Sequence, residues 1–268
     1  MSFTIIIPSR FGSTRLPGKA LLDIAGKPMV QRVYEQSCKS HADEVLIATD
    51  DERIAKVVSD FGGQVVMTSP DHPSGTDRLQ EVVTKKAYNN QHVVVNVQGD
   101  EPLIPPQAIN QVANNLANAG ADAGIATLCE RISDPLELLN PNAVKVVRNQ
   151  QDFAQLFTRA PAPWLRSWPP LTSITKDCDI AKLYSLATQK NIQWQRHIGI
   201  YAYRVEVLNQ FVSWPMSAGE QSESLEQLRA LDNGIGIHCE EASCTLPGGI
   251  DTQEDLERVR NVFKASNT

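Results

Sequence analysis

Cysteine is scarce and scattered in this chain of 268 residues. Cys38, Cys129, Cys178, Cys239 and Cys244 are odd in number and contain no CxxC spacing, which excludes a zinc framework and fits reduced thiols in a cytoplasmic protein. Long apolar runs are missing as well. None approaches the roughly eighteen residues of a membrane-spanning helix, so no membrane insertion is expected. The first residues run straight into an apolar strand without a basic and then apolar leader, so no signal peptide is expected. A basic excess is absent too. Lys and Arg number 25 against 31 Asp and Glu, a net charge of −6, which argues against a nucleic-acid binder or an anionic-membrane binder. Any site for a polyanion must therefore be local.

One such locality stands at the start. Ile5–Ile7 is a short β-branched run closed at once by Pro8, which reads as a buried strand and its end. The loop that follows holds Ser9, Arg10, Ser13, Thr14, Arg15 and Lys19, with Gly12 and Gly18 among them. Glycines let backbone N–H groups come close, and Arg and Lys give charge-assisted bonds to phosphate oxygens. The loop is neither a Walker A sequence nor a GxGxxG, so those two phosphate-binding folds are disfavoured. The plain alternative is a solvated surface loop.

The rest of the first half keeps a strand–helix rhythm. A turn at Gly26–Pro28 leads to a helix with Met29, Val33 and Tyr34 on one face. Val45–Ala48 is a strand ending in Thr49, Asp50 and Asp51, and Arg53–Phe61 is a helix. Val65–Met67 and His92–Val97 are further strands. This rhythm predicts a parallel, doubly wound sheet with helices on both faces and ligands at the carboxyl ends of its strands. Pro8–Lys19, Thr49–Asp51 and the loop of residues 69–79 fall at such ends. In the last of these, Ser74, Gly75 and Thr76 open a helix before Arg78, where hydroxyls and free amides suit an anion or a base edge, or simply cap the helix. Further on, Gln98-Gly99-Asp100-Glu101 places an acid one glycine past a buried strand. Magnesium takes one or two carboxylates plus phosphate oxygens, so Asp100 is a metal candidate, or else a turn cap.

Beyond Asn140 the chain is less regular. Lys145 on a strand points at a ligand or at solvent. Residues 151–195 read as an excursion whose Trp164 and Trp168 pack on another surface, such as a second subunit, or on their own domain. On the strand His197–Tyr203, His197, Gly199, Tyr201 and Tyr203 share one face, which is either a ligand surface or core. Glu226 and Gln227 stand on a helix whose Leu225, Leu228 and Leu231 face inward. Asp251-Thr252 opens the last helix, with Glu254 and Asp255 in its first turn, and Thr252 with Asp255 resembles a capping box.

Taken together, IIIPSRFGSTRLPGK, VLIATDDERIA, HPSGTDRL, VVNVQGDEPLI, NPNAVKVV, RHIGIYAYR, SLEQLR and GGIDTQEDLERVR resemble the cytidylyltransferases that activate 3-deoxy-D-manno-octulosonate (KDO) as CMP-KDO for lipopolysaccharide assembly. The resemblance covers nearly the whole chain. It implies an α/β three-layer sandwich of the nucleotide-diphosphosugar transferase type, with a mostly parallel mixed sheet and an extended arm. It also implies one nucleotidyltransferase domain over 1–268 and a homodimer formed through an arm at about 151–195. It implies that Arg10, Arg15 and Lys19 hold the triphosphate of CTP, with Pro8, Thr49, Ser74, Gly75 and Thr76 around the nucleotide. Asp100 and Asp251 would hold Mg2+. Arg78, Gln98, His197, Tyr201, Glu226 and Gln227 would line the pocket for the 3-deoxy sugar acid. Departures include Thr158–Trp164, which reads TRAPAPW in place of a typical SRxxIPW, and the segment 165–196 after it, which lacks the usual Arg/Asp-rich start. Ser9 stands where the family usually has Ala, Ala20 where it usually has Pro, and Ser217–Ser224 reads SAGEQSES in place of a typical SPLExxEx. Two other readings stay in view: a cytidylyltransferase for another sugar acid (8-amino-KDO or sialic acid), and a non-catalytic nucleotide-binding regulator.

Overall fold

A computed structural model describes residues 2–12, 16–169, 177–189 and 192–265. In chain order these form β1 (Phe3–Pro8), a small hairpin of β2 (Asp23–Ile24) and β3 (Lys27–Pro28), α1 (Met29–Ser37), β4 (Glu44–Thr49), α2 (Glu52–Asp60), β5 (Gln64–Met67), α3 (Gly75–Lys85), β6 (Val93–Asn96), α4 (Pro106–Asn118), β7 (Ile125–Arg131), α5 (Pro135–Leu139), β8 (Lys145–Arg148), β9 (Ala154–Thr158), α6 (Asp177–Thr188), β10 (Gln195–Arg204), α7 (Val205–Phe211), α8 (Ala218–Glu223), α9 (Gln227–Asp232), β11 (Ile237–Glu241) and α10 (Gln253–Ala265). They fall into two compact units. The first holds residues 1–126, 200–213 and 243–268, and the second holds 127–199 and 214–242.

The first unit is built on β1. It pairs in parallel with β4 on one side and β6 on the other, and β4 pairs in parallel with β5. Ile5, Ile6 and Ile7 are wholly buried, as a strand covered on both faces requires. The cover comes from two helical layers: α1 packs with α4 and α3 with α7, and both α1 and α3 reach β1. The sheet is not all parallel, as the strand–helix rhythm alone would have it. Residues Tyr201–Arg204 of β10 run antiparallel to β6, Tyr201 opposite Asn96 and Arg204 opposite Val93. A parallel neighbour needs a crossover that returns the chain to the same end of the sheet. Here the chain comes back from its excursion at the opposite end. The mixed sheet implied by the resemblance is the one present.

The second unit centres on the antiparallel pair β8–β9, with Gln195 and Arg196 of β10 laid antiparallel on β8. Its core gathers Ile132, Leu138, Trp168, Ile180, Ala187 and Trp194. Trp168 and Trp194 have ring centroids 5.0 Å apart, and Tyr184 stacks on Trp194 at 5.3 Å. Trp168 thus packs inside its own unit, while Trp164 is 37% exposed. The stretch read as irregular contains α6, twelve residues long. Its polar sequence lacks a clean apolar face, so periodicity did not reveal it. Lys145 points at neither ligand nor solvent. It is fully buried, and its Nζ donates to the carbonyls of Asn140 at 2.9 Å and Ala143 at 2.6 Å. Burial pushes its pKa down.

Candidate active site

A cavity of about 330 Å³ opens in the first unit at the carboxyl ends of β1 and β6. Its walls include Pro8, Arg10, Lys19, Ser74, Gly75, Arg78, Gln98, Asp100 and Asp251, nine of the residues singled out in the sequence. Ser9, Gly12, Ala20, His72, Pro73 and Gly99 complete the lining.

Local backbone chemistry explains the convergence. The Ser9 N–H donates to Ala48 O at 2.8 Å, which carries the β1–β4 ladder one residue past the strand. Gly99 lies so close to this corner that a Cβ there would stand 2.8 Å from Pro8 O and 2.9 Å from Ser9 Oγ. Only glycine lets the loops after β1 and β6 meet in this way. Gly18 takes a left-handed φ of 65° just before a 3₁₀ turn at Lys19–Leu21, and this turn aims Lys19 inward.

Lys19 is the hub of the site. Its Nζ lies 2.7 Å from Asp100 Oδ2 and 3.2 Å from Asp251 Oδ1. The two acids come from distant parts of the chain and are joined by the backbone too, since the Ile250 N–H donates to Asp100 O at 2.9 Å. Asp251 is steadied by the helix start after it. Asp255 Oδ2 accepts from the Asp251 N–H at 3.2 Å and the Thr252 N–H at 3.1 Å, and the Asp255 N–H donates back to Thr252 Oγ1 at 3.2 Å. This is the reciprocal bonding expected of the Thr252–Asp255 pair. Beside the site, burial and then the charge of Asp100 push Glu101 up to about 7.

The α3 wall is held from behind. The Ser74 hydroxyl caps α3, accepting from the N–H groups of Thr76 at 3.1 Å and Asp77 at 3.3 Å. Arg78 is 4% exposed. Its Nη2 reaches Asp50 Oδ2 at 3.2 Å, and its Nη1 donates to Thr68 Oγ1. His72, which the sequence did not single out, donates through Nε2 to Glu81. Burial alone would raise the Glu81 carboxyl, but bonds from Lys85, the Ser69 N–H and His72 outweigh it and hold it at about 2.

Other expected residues lie elsewhere. Thr49 and Thr76 are buried off the cavity wall, with Thr49 Oγ1 accepting from the Asp51 N–H at 3.2 Å. Tyr201 stacks on Tyr203 at 5.7 Å between centroids and is not on the wall. Arg15 falls outside the described residues. His197, Glu226 and Gln227 belong to the second unit. There His197 bonds through Nε2 to Thr127 Oγ1 at 3.0 Å and meets Phe157 edge-on at 4.9 Å, and desolvation pushes its pKa down to about 3. Gln227 is buried at the start of α9 and so does not lie on the solvated face that a Glu-Gln pair on a helix ordinarily occupies.

Residues 4–240 match the family model described as cytidylyltransferase. The chain belongs to that family. It is 53% identical over 264 residues to the 3-deoxy-manno-octulosonate cytidylyltransferase of Marinobacter nauticus, covering 98% of each chain. It is 54% identical to the enzyme of the same name from Alcanivorax borkumensis, covering 97% of this chain and 98% of that one. Among solved structures it is similar to CMP:2-keto-3-deoxy-manno-octonic acid synthetase complexed with CTP, with a TM-score of 0.84 and 40% identity over 99% of each chain. The chain thus shares its fold with that structure over nearly its whole length.

Proposed function

We propose that this cytidylyltransferase transfers CMP from CTP to the anomeric hydroxyl of 3-deoxy-D-manno-octulosonate, giving CMP-KDO and pyrophosphate for lipopolysaccharide biosynthesis. The observation that carries the reading is the Lys19–Asp100–Asp251 constellation in a cavity walled by further cations. The near full-length relatives named for this reaction support it.

The C2 hydroxyl oxygen of the sugar acid attacks the α-phosphorus of CTP. The bond from that phosphorus to the bridging oxygen breaks, pyrophosphate departs with the electron pair, and the hydroxyl proton passes to solvent. Little covalent work falls on the protein, which must align the two oxygens in line and offset charge. Lys19 and Arg10 place positive charge where the triphosphate lies. Arg78, fixed by Asp50 and Thr68, presents a guanidinium edge to the substrate carboxylate. Gln98 adds an amide that can donate or accept. Asp100 and Asp251 would hold Mg2+: two carboxylates already drawn to one cation fit an ion that takes one or two carboxylates and fills its remaining positions with phosphate oxygens and water. When bound, the ion supplies Lewis-acid neutralisation of the phosphate oxygens.

The protein acts as a homodimer in the cytoplasm. Exposed Trp164 and Leu156 offer apolar surface for a second copy. Among the described residues Cys38, Cys129, Cys239 and Cys244 are free thiols, and no described helix is long and apolar enough to cross a membrane. Light scattering on the purified chain tests the dimer.

The deciding assay is pyrophosphate release from CTP and magnesium with KDO, 8-amino-KDO and sialic acid in parallel. Release with KDO is expected. Release only with another sugar acid keeps the mechanism and moves the substrate. No release from folded protein that still binds CTP overturns the enzyme reading in favour of a regulator.

A further inference from the structure

We propose that His72 reads the base of the nucleotide, its Nδ1 accepting a hydrogen bond from the 4-amino group of cytosine, so that the pocket takes a cytidine nucleotide in preference to a uridine one. This rests on the reading that the cavity holds CTP.

Glu81 on α3 sets the state of the ring. Its Oε2 faces His72 Nε2 and also accepts from the Ser69 N–H at 2.8 Å, while its Oε1 pairs with Lys85 Nζ at 2.7 Å. A carboxylate bound in this way is ionised, and an ionised carboxylate only accepts. Nε2 must therefore carry the hydrogen. In the neutral ring that fixes the tautomer and leaves Nδ1 with a bare lone pair. The His72 side chain lies on the cavity wall, 18% exposed, and among the described residues nothing bonds its Nδ1.

The other lining side chains do not do the same work: the Ser9 hydroxyl, buried and unbonded, can donate or accept and so tolerates either base. Arg10, Lys19 and Arg78 only donate, which suits phosphate and carboxylate oxygens and repels an amino group. Asp100 and Asp251 are drawn to Lys19, and the Ser74 hydroxyl is engaged in capping α3. Gln98 can turn its amide to meet a donor or an acceptor, so it tolerates either base. His72 is the lining side chain whose acceptor is locked by a charged partner behind it. Cytosine offers an amino donor at position 4, where uracil offers a carbonyl oxygen. That oxygen would face the Nδ1 lone pair, leaving two acceptors opposed. A site built around one hydrogen-bonding sense discriminates far more strongly than one that relies on shape.

The test is calorimetric titration of the full chain with CTP and with UTP, magnesium present, at about pH 8.5, two units above the ordinary histidine value of about 6.5. Turnover with KDO is measured separately. The wild type is expected to bind CTP more tightly. His72→Ala should lower the ratio of CTP to UTP affinity by about tenfold, mostly by weakening CTP. His72→Asn, whose Oδ1 falls near the place of Nδ1 and accepts, should keep part of the preference. Glu81→Gln should lower the ratio with His72 intact, because an amide can donate and so frees the tautomer. An unchanged ratio in folded His72→Ala, an equal loss for both nucleotides, or a wild type without preference overturns the proposal. A wild type that prefers CTP yet turns over no sugar acid overturns the enzyme reading and leaves His72 standing.

Discussion

Gly99→Ala puts the tightest contact of the site under strain. The added Cβ would stand 2.8 Å from Pro8 O and 2.9 Å from Ser9 Oγ, about half an ångström short of ordinary contact. The serine hydroxyl can rotate away. The Pro8 carbonyl cannot, because Pro8 pairs with Ala48 and the next N–H donates to Ala48 O at 2.8 Å. Either the loop after β6 moves outward or the end of β1 leaves its ladder. Overpacking of this kind costs about 1–3 kcal/mol. In a urea titration the midpoint should fall by about 0.5–1 M with the slope unchanged. Turnover should fall further, by about a hundredfold, because the displaced loop carries Gln98 and Asp100, and reacting groups lose rate steeply when misplaced by about an ångström. Gly199→Ala is the control. A Cβ there meets nothing within 4 Å, so stability should stay within about 0.5 kcal/mol. A Gly99→Ala protein with the wild-type midpoint and turnover would refute the close approach as the device that joins the two loops.

Asp100→Ala should lose turnover by at least about a hundredfold yet lose under about 1 kcal/mol of stability, since its bond to Lys19 is partly exposed and Lys19 keeps Asp251; near-normal turnover at saturating magnesium would sink the metal assignment. The His197 ring stays neutral in the fold down to about 3, whereas in the unfolded chain it takes up a proton near its ordinary value of about 6.5. The unfolded state then binds more protons as the pH falls below about 6.5, so stability drops by up to about 1.4 kcal/mol per unit of pH. Urea midpoints at pH values on either side should show this slope, and His197→Gln should flatten it. Glu220→Ala removes a buried partner of Arg229, from a pair with side chains only 6% and 11% exposed, and should cost about 3–5 kcal/mol in thermal or urea unfolding; a loss below about 1 kcal/mol would show that water or other groups compensate the arginine.

Much of the first unit was legible in advance. Ile5–Ile7 and Val93–Val95 are fully apolar because both faces of those strands are covered, and the Gly, Pro and charged residues after them mark the loops that wall the cavity. The direction of β10 was not legible from periodicity, because alternation along a strand is the same whichever way its neighbour runs. The burial of the hydroxyls was not legible either: Thr49 and Thr76, which the resemblance places around the nucleotide, are buried, and Thr49 Oγ1 accepts from the Asp51 N–H of its own loop. The chemistry of His72 was equally hidden, because its partner stands nine residues on, across a loop and two turns of helix.

The charges of the site explain how an acidic chain can collect two anionic substrates. The net charge of −6 is spread over the whole surface, and screening confines its reach to about 8–10 Å. Inside the cavity, Lys19 and Arg78 are each pinned by carboxylates, Lys19 by Asp100 and Asp251 and Arg78 by Asp50. Such pinning lowers the net field of the empty pocket, which would weaken a site built only for attraction. Its return is geometric: cations held in place lose little side-chain entropy on binding and need not reorganise as charge develops on the phosphates. Arg10 is the exception, exposed at the cavity mouth on the loop after β1. The division follows the work each must do. On the proposed function, the pinned cations define where the reacting atoms sit, and the exposed arginine follows the triphosphate as it enters and the pyrophosphate as it leaves.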